Sequence, residues 1–231
     1  MSLRDTIAAI ATPPGVGGIG VIRISGQEAE GIVLRLFRPS HPMEGLVSHH
    51  LHHGQIVSPR SGEVLDEVLV TLLKAPHSFT GEDTVELHCH GGPYVLRAVI
   101  EEVLRLGARP AERGEFTKRA FLNDRIDLAQ AEAVLDLINA RTREGLRAAV
   151  GGLAGRLSSR IDALRGRVIE LLAGIEAAID FTAEDGMESL DSATAPLDAL
   201  IDDIRTLVAS YRRGRILREG IGVVIAGRPN V

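Results

Sequence analysis

The chain has 231 residues, 45% of them hydrophobic, a formal charge of −5 and a single cysteine. This length holds one large or two modest domains with a real core, packed by aliphatic side chains because only 3% of residues are aromatic. The acidic balance argues against a broad nucleic-acid-coating surface and leaves only a local basic patch open. Cys89 has no intrachain partner, which favours a reducing, cytoplasmic compartment. No signal-peptide core follows Met1, and no apolar run is long enough to cross a bilayer.

In chain order, Thr6–Ala11 reads as a short strand. The loop Thr12-Pro-Pro-Gly-Val-Gly-Gly18 leads into a second strand, Ile19–Ser25. The loop precedes a strand, not a helix, so it reads as backbone over a pocket and not as a nucleotide fingerprint. Arg23 stands among aliphatic neighbours. A guanidinium there needs a buried carboxylate or an anionic ligand. Gly26–Phe37 predicts a helix. The segment His41–His53 carries five of the eight histidines. No carboxylate or cysteine stands at ligand spacing and adjacent residues of a strand point to opposite faces, so it reads as a solvated strand edge. Ile56–Ser58 and Glu63–Leu73 predict a hairpin around Pro59–Gly62. Strand Thr84–His90 sets Val85, Leu87 and Cys89 on one face and Glu86, His88 and His90 on the other. That polar face suits acid–base chemistry or a polar heterocycle, and equally an ordinary exposed sheet face. Cys89 reads as packing, not as a nucleophile. Gly91-Gly-Pro93 then turns the chain into a helix, Tyr94–Leu106.

The stretch Arg113–Val134 divides a strand-rich half from a helical one. It ends in Asp127-x-x-Gln130, a capping box ahead of Leu128, Ala131, Leu135 and Ile138 on one helix face. Apolar spacing predicts a very long helix, or two in series, through Ile179, with weak points at Gly151-Gly152 and Gly155. An acidic connection, Asp180–Asp191, carries Glu184, Asp185 and Glu188 without calcium-loop spacing and reads as a solvated turn. A further helix from Thr194 to Tyr211 turns Leu197, Leu200, Ile201, Ile204 and Val208 inward and completes a helical hairpin. Arg212, Arg213, Arg215 and Arg218 follow, suited to a helix C-terminus or to phosphate backbone. Gly222–Ala226 reads as a buried strand. Gly227-Arg-Pro-Asn-Val231 begins a phosphate-binding loop whose Lys and Ser/Thr are not in the sequence, so the chain reads as cut.

Together these residues resemble the MnmE (TrmE) family of tRNA-modification GTPases. The motifs are Thr12-Pro-Pro-Gly15, Gly20-Val-Ile-Arg-Ile-Ser-Gly26, Ser78-Phe-Thr-Gly-Glu-Asp83 and His90-Gly-Gly-Pro93. Further along stand Gly114-Glu-Phe-Thr117, Arg119-Ala-Phe-Leu-Asn123, Asp127-Leu-Ala-Gln-Ala-Glu132 and Glu176–Phe181. The last are Leu217-Arg-Glu-Gly220 and Ala226-Gly-Arg-Pro-Asn230.

The resemblance implies an α+β fold. Residues 1–119 would form an aminomethyltransferase-like domain that binds 5-formyl- or 5,10-methylene-tetrahydrofolate and builds a homodimer. Residues 120–219 would be an incomplete helical bundle domain, and 220–231 the first strand of a Ras-like P-loop GTPase domain. With the flavin-dependent partner MnmG (GidA), the family forms 5-(carboxymethyl)aminomethyluridine at the tRNA wobble position. GTP hydrolysis in the family is potassium-stimulated and uses magnesium. Carried over by residue, the folate contacts are Arg23, Glu86 and Arg125, with Glu86 facing an amino-pyrimidine edge and the arginines facing carboxylates or a carbonyl oxygen. Many members have Lys where this chain has Arg125. Asn230 matches the residue that helps coordinate potassium and nucleotide. With the P-loop Lys and Ser and the switch and guanine-specificity motifs missing, this chain alone is expected not to hydrolyse GTP. Two other readings stand beside this one: a non-catalytic folate-binding dimerisation module, and a one-carbon transferase using Glu86 or the nearby histidines.

Overall fold

A computed structural model of the protein describes residues 5–180, 194–219, 222–224 and 226–227. The chain divides into two compact units, Met1–Ile126 and Asp127–Val231.

The first unit is a seven-stranded sheet. Its strands are β1 (Ile7–Ile10), β2 (Ile19–Ser25), β3 (Phe37–Pro39), β4 (Leu51–Val57), β5 (Val64–Leu73), β6 (Thr84–His90) and β7 (Arg109–Pro110). The spatial order is β3-β4-β5-β6-β2-β1-β7, antiparallel except where β1 meets β7. Both edge strands carry a proline, Pro39 and Pro110, which cannot donate to a further strand.

Period-two alternation decides the layers. Ile22, Ile24, Val70, Leu72, Val85, Leu87 and Cys89 are buried with Ala29, Ile32, Val33 and Leu36 of helix α1 (Ala29–Leu36). Leu96, Val99 and Val103 of helix α2 (Pro93–Arg105) complete that layer. Each fully buried Leu, Ile or Val contributes about 1.5–3 kcal/mol, so this face carries most of the unit's stability. The opposite face holds Arg23, Glu86 and His88. The sheet is pinned to the loop after β1 at Gly91, where an added Cβ would stand 2.5 Å from the Gly17 carbonyl oxygen. That loop and α2 border a cleft of about 440 Å³ lined by Ile10, Pro13, Pro14, Pro93, Leu96 and Ile100.

Strands β1, β2, β5 and β6 agree with the sequence reading, whereas the expected strand Ile56–Ser58 is the end of a longer β4, and the short β3 and β7 are not among the expected strands. The histidine-rich strand is not an edge, because β4 lies between β3 and β5. The short strand β3 that covers it has too little periodicity to be read. The histidines are nevertheless solvent-facing, and His53 contacts Glu67 across the hairpin at 2.7 Å.

After helix α3 (Glu115–Leu122), the second unit has α4 (Leu128–Asn139), α5 (Arg143–Leu153), α6 (Arg156–Asp180) and α7 (Thr194–Glu219). Asp127 caps α4 by accepting from the Gln130 amide at 2.8 Å, and the Gln130 side chain returns the bond to the Asp127 amide at 2.9 Å. The expected long helix is instead three. The first break, at Ala140–Thr142, has neither Gly nor Pro to mark it in the sequence. Thr142 caps α5 through the Gly145 amide at 3.0 Å, a local alternative to continuing the helix. The second falls at Gly155, whose φ of +75° suits glycine alone, while Gly151 and Gly152 remain helical.

Arg160, Ala163, Leu164 and Arg167 of α6 line a cleft with Asp203 and Leu207 of α7, and Arg167 pairs with Asp203 there. Of the five residues expected to face inward on α7, only Leu200 is buried; Leu197, Ile204 and Val208 are exposed. A two-helix contact is too narrow to cover a full apolar stripe. The strand expected at 222–226 is absent at Gly222–Val224, because the described residues of this unit include no strand to pair with it. The acidic connection lies outside the described residues apart from Asp180, the last residue of α6. Asn230 also lies outside them.

Candidate functional site

The site grows from a cross-strand pair. The β2–β6 register sets Arg23 directly opposite Glu86, on the face away from α1 and α2. Arg23 Nε donates to Glu86 Oε1 at 2.8 Å, and a second guanidinium nitrogen lies 2.6 Å from the same oxygen. The guanidinium also sits 5.7 Å from the ring centroids of both Phe79 and Phe116, one from the loop before β6 and one from α3. Such contacts hold the cation in place without neutralising its remaining donors. Both charged side chains are partly exposed, 29% for Arg23 and 18% for Glu86, so the pair borders solvent and is open to a ligand.

Beside it, His88 Nε2 lies 3.6 Å from Glu86 Oε2 and has neither solvent contact nor a hydrogen bond. His90 is different: Asp66 accepts from its backbone amide at 2.8 Å and lies 2.6 Å from its ring Nδ1. That hydrogen bond raises the His90 pKa above the usual imidazole value. Cys89, on the other face, is held as a neutral thiol by burial, which pushes its pKa up to about 12.

Arg125 reaches the same loop from the end of the first unit. Its Nε donates to the Ser78 carbonyl at 3.1 Å, and its side-chain carbons pack on Gly81. Asn123 joins it there by donating to the Thr80 carbonyl at 2.7 Å. The three expected folate residues are therefore two in direct contact and one on the loop that presents Phe79.

Beneath the loop lies a charge cluster the residue pattern did not reveal. Arg119 is 2% exposed and contacts Asp5 at 2.6 Å, Glu82 at 3.1 Å and Glu115 at 3.2 Å. Arg109 contacts Glu115 at 2.6 Å and Asp5 at 2.8 Å. Hydrogen bonds from Arg109, then from the Glu112 amide and Arg119, hold the Glu115 pKa down at about 2, against the opposing effect of burial. Glu82 also accepts from Ser25 at 2.7 Å, tying β2 to this cluster. The network fixes α3, and with it Phe116, above Arg23. Its only trace in the sequence is charge crowded around Phe116 in a chain poor in aromatics.

Set beside known proteins, the chain matches two family models in succession. Residues 6–125 match "GTP-binding protein TrmE N-terminus" and residues 128–222 match "MnmE helical domain". The chain belongs to the MnmE (TrmE) family. It is 53% identical over 99% of its length to the tRNA modification GTPase MnmE of Syntrophus aciditrophicus, covering 50% of that protein. It is likewise 50% identical to the protein of that name from Carboxydothermus hydrogenoformans and 51% identical to that from Moorella thermoacetica, again over 99% of this chain and 50% of each. The chain thus spans about half the length of the curated relatives it matches. Within the MnmE-type N-terminal region, the Arg23–Glu86 pair, Phe79, Phe116 and Arg125 all fall inside the first matched segment. Among the described residues no helix is long and apolar enough to cross a membrane, and no metal-holding cluster is found.

Proposed function

We propose that this chain is the folate-binding, dimer-forming part of a tRNA modification GTPase. In this reading the whole protein works in the cytoplasm with an MnmG (GidA) partner. It installs 5-(carboxymethyl)aminomethyluridine at the tRNA wobble position, and GTP hydrolysis with potassium and magnesium drives its conformational cycle. Family membership supports the GTPase reading, and the relatives' shared name supports tRNA as substrate. The observation that carries the folate reading is a partly exposed Arg23–Glu86 pair flanked by two phenyl rings, beside an unsatisfied imidazole nitrogen.

These residues fit a pterin. Glu86 Oε2, which takes no hydrogen bond among the described residues, would accept from an amino-pyrimidine edge. Arg23 has donors left for a carbonyl oxygen, and the terminal nitrogens of Arg125 suit a glutamate carboxylate. Phe79 and Phe116 flank the cation and hold it in place. The folate supplies the one-carbon unit; the protein residues bind and orient it. Asn230 is proposed as a nucleotide and potassium contact of the whole protein.

The test is titration calorimetry of this chain with 5-formyl-tetrahydrofolate. Binding is expected, and Arg23→Ala should weaken it by about 1–3 kcal/mol, the worth of a charge-assisted contact. No heat and no competition by a second folate would count against the site. In a GTPase assay this chain alone should release no phosphate above the blank; turnover would overturn the assignment of hydrolysis to the rest of the protein.

A further inference from the structure

His88 stands apart from the other imidazoles of this sheet. His90, two residues on along β6, is tied to Asp66, and His53 is tied to Glu67. His88 lies opposite Val21 on β2 and Leu69 on β5, apolar neighbours that offer its ring nothing. Its Nε2 is shut off from solvent without a hydrogen bond. Glu86 Oε2 stands 3.6 Å from it, beyond hydrogen-bond reach.

Buried polar atoms in folded proteins are nearly always satisfied, so an exception beside a partly exposed charge pair asks for a ligand. Glu86 makes the case stronger. Both of its contacts with Arg23 fall on Oε1, so Oε2 and the His88 Nε2 stand side by side, each without a hydrogen bond among the described residues. A flat heterocycle carrying adjacent donor and acceptor atoms along one edge would engage both. The ring has room to meet it, since the His88 side chain is 32% exposed although its Nε2 is covered.

We propose that His88 is a ligand-contacting residue of the Arg23–Glu86 site. On binding, its imidazole turns from Glu86 and its Nε2 hydrogen-bonds the same heterocycle edge whose amino group occupies Glu86 Oε2. This rests on the folate reading above and extends the site along β6 by one more residue on the same face.

The experiment measures 5-formyl-tetrahydrofolate affinity for the wild-type chain and for His88→Leu, His88→Gln and Arg23→Ala. It also follows the wild-type His88 ring nitrogens by NMR during the titration. The leucine variant should bind about tenfold or more weakly, the loss of one buried hydrogen bond. The glutamine variant, whose amide reaches the position of Nε2, should stay within about threefold of wild type. The His88 Nε2 resonance should shift on saturation. Full affinity in the leucine variant together with loss in Arg23→Ala would overturn the role of His88 and leave the site standing. No binding by wild type would overturn both. If the leucine variant fails to fold, an unmoved Nε2 resonance in saturated wild-type protein overturns the proposal by itself.

Discussion

Arg119 shows how one residue organises the first unit. Burial works against its charge, and Glu82, Asp5 and Glu115 outweigh that and raise its pKa. Removing it leaves three carboxylates in a confined space, so Arg119→Met should cost about 3–5 kcal/mol in chemical denaturation, as for a broken buried ion pair. Glu115 reports on the same cluster through pH. Its folded pKa is depressed from 4.5 to about 2, so its stabilisation is complete above 4.5 and is lost as pH falls through 2. Glu115→Gln should therefore cost about 2 kcal/mol at neutral pH, its side chain being 10% exposed. The gap between variant and wild type should close between pH 4.5 and 2. Cys89 offers a simpler check. With its thiol held neutral up to about 12, it should resist a thiol-disulfide reagent at mild alkaline pH and react once denaturant opens the sheet.

At the scale of the element, helix termini set the architecture of the second unit. The Asp127 carboxylate accepts from the Gln130 amide at 2.8 Å and from the Ser158 hydroxyl of α6 at 2.5 Å, so one side chain both starts α4 and holds α6. The Ser158 hydrogen bond, with the Gln130 amide, keeps its pKa low. Asp127→Ala should lower the thermal midpoint, with a loss of about 1–2 kcal/mol for a helix cap. Gly155→Ala tests the second break: a Cβ there finds open space beyond the Gln130 side chain 3.6 Å away, so the penalty is the backbone's alone. It should cost about 1–2 kcal/mol, since φ stands at +75°.

For the molecule as a whole, the two units differ in how much they bury. The sheet unit has a continuous aliphatic core, whereas α4 to α7 bury few side chains among the described residues, chiefly Ala133, Ala149 and Leu200. Leu135, Ile138, Ile169, Leu172 and Val208 are all more than half exposed. Hydrogen exchange should accordingly run much faster along α4–α7 than along β2, β5 and β6. Uniform protection across both units would contradict this difference. Exposed apolar side chains on the helices should also bind a hydrophobic dye, and the signal should fall at concentrations where the chain self-associates.

Local patterns in the sequence were enough to define β2 and β6 to the residue, with the polar and apolar faces of β6 already separated. A strand's period of two and a capping box are written within a few neighbouring positions. The sequence also carried Arg23 and Glu86 as a cation and a carboxylate in need of partners. Tertiary structure decided that they face each other from positions 63 residues apart, and that Phe79 and Phe116 flank them. It also placed Arg119 at the centre of three acids drawn from separate segments. Pairing of distant strands depends on register and on competition among many possible contacts, and neither leaves a periodic mark on one chain. The unpaired nitrogen of His88 belongs to that second kind of fact, visible only once its neighbours are known.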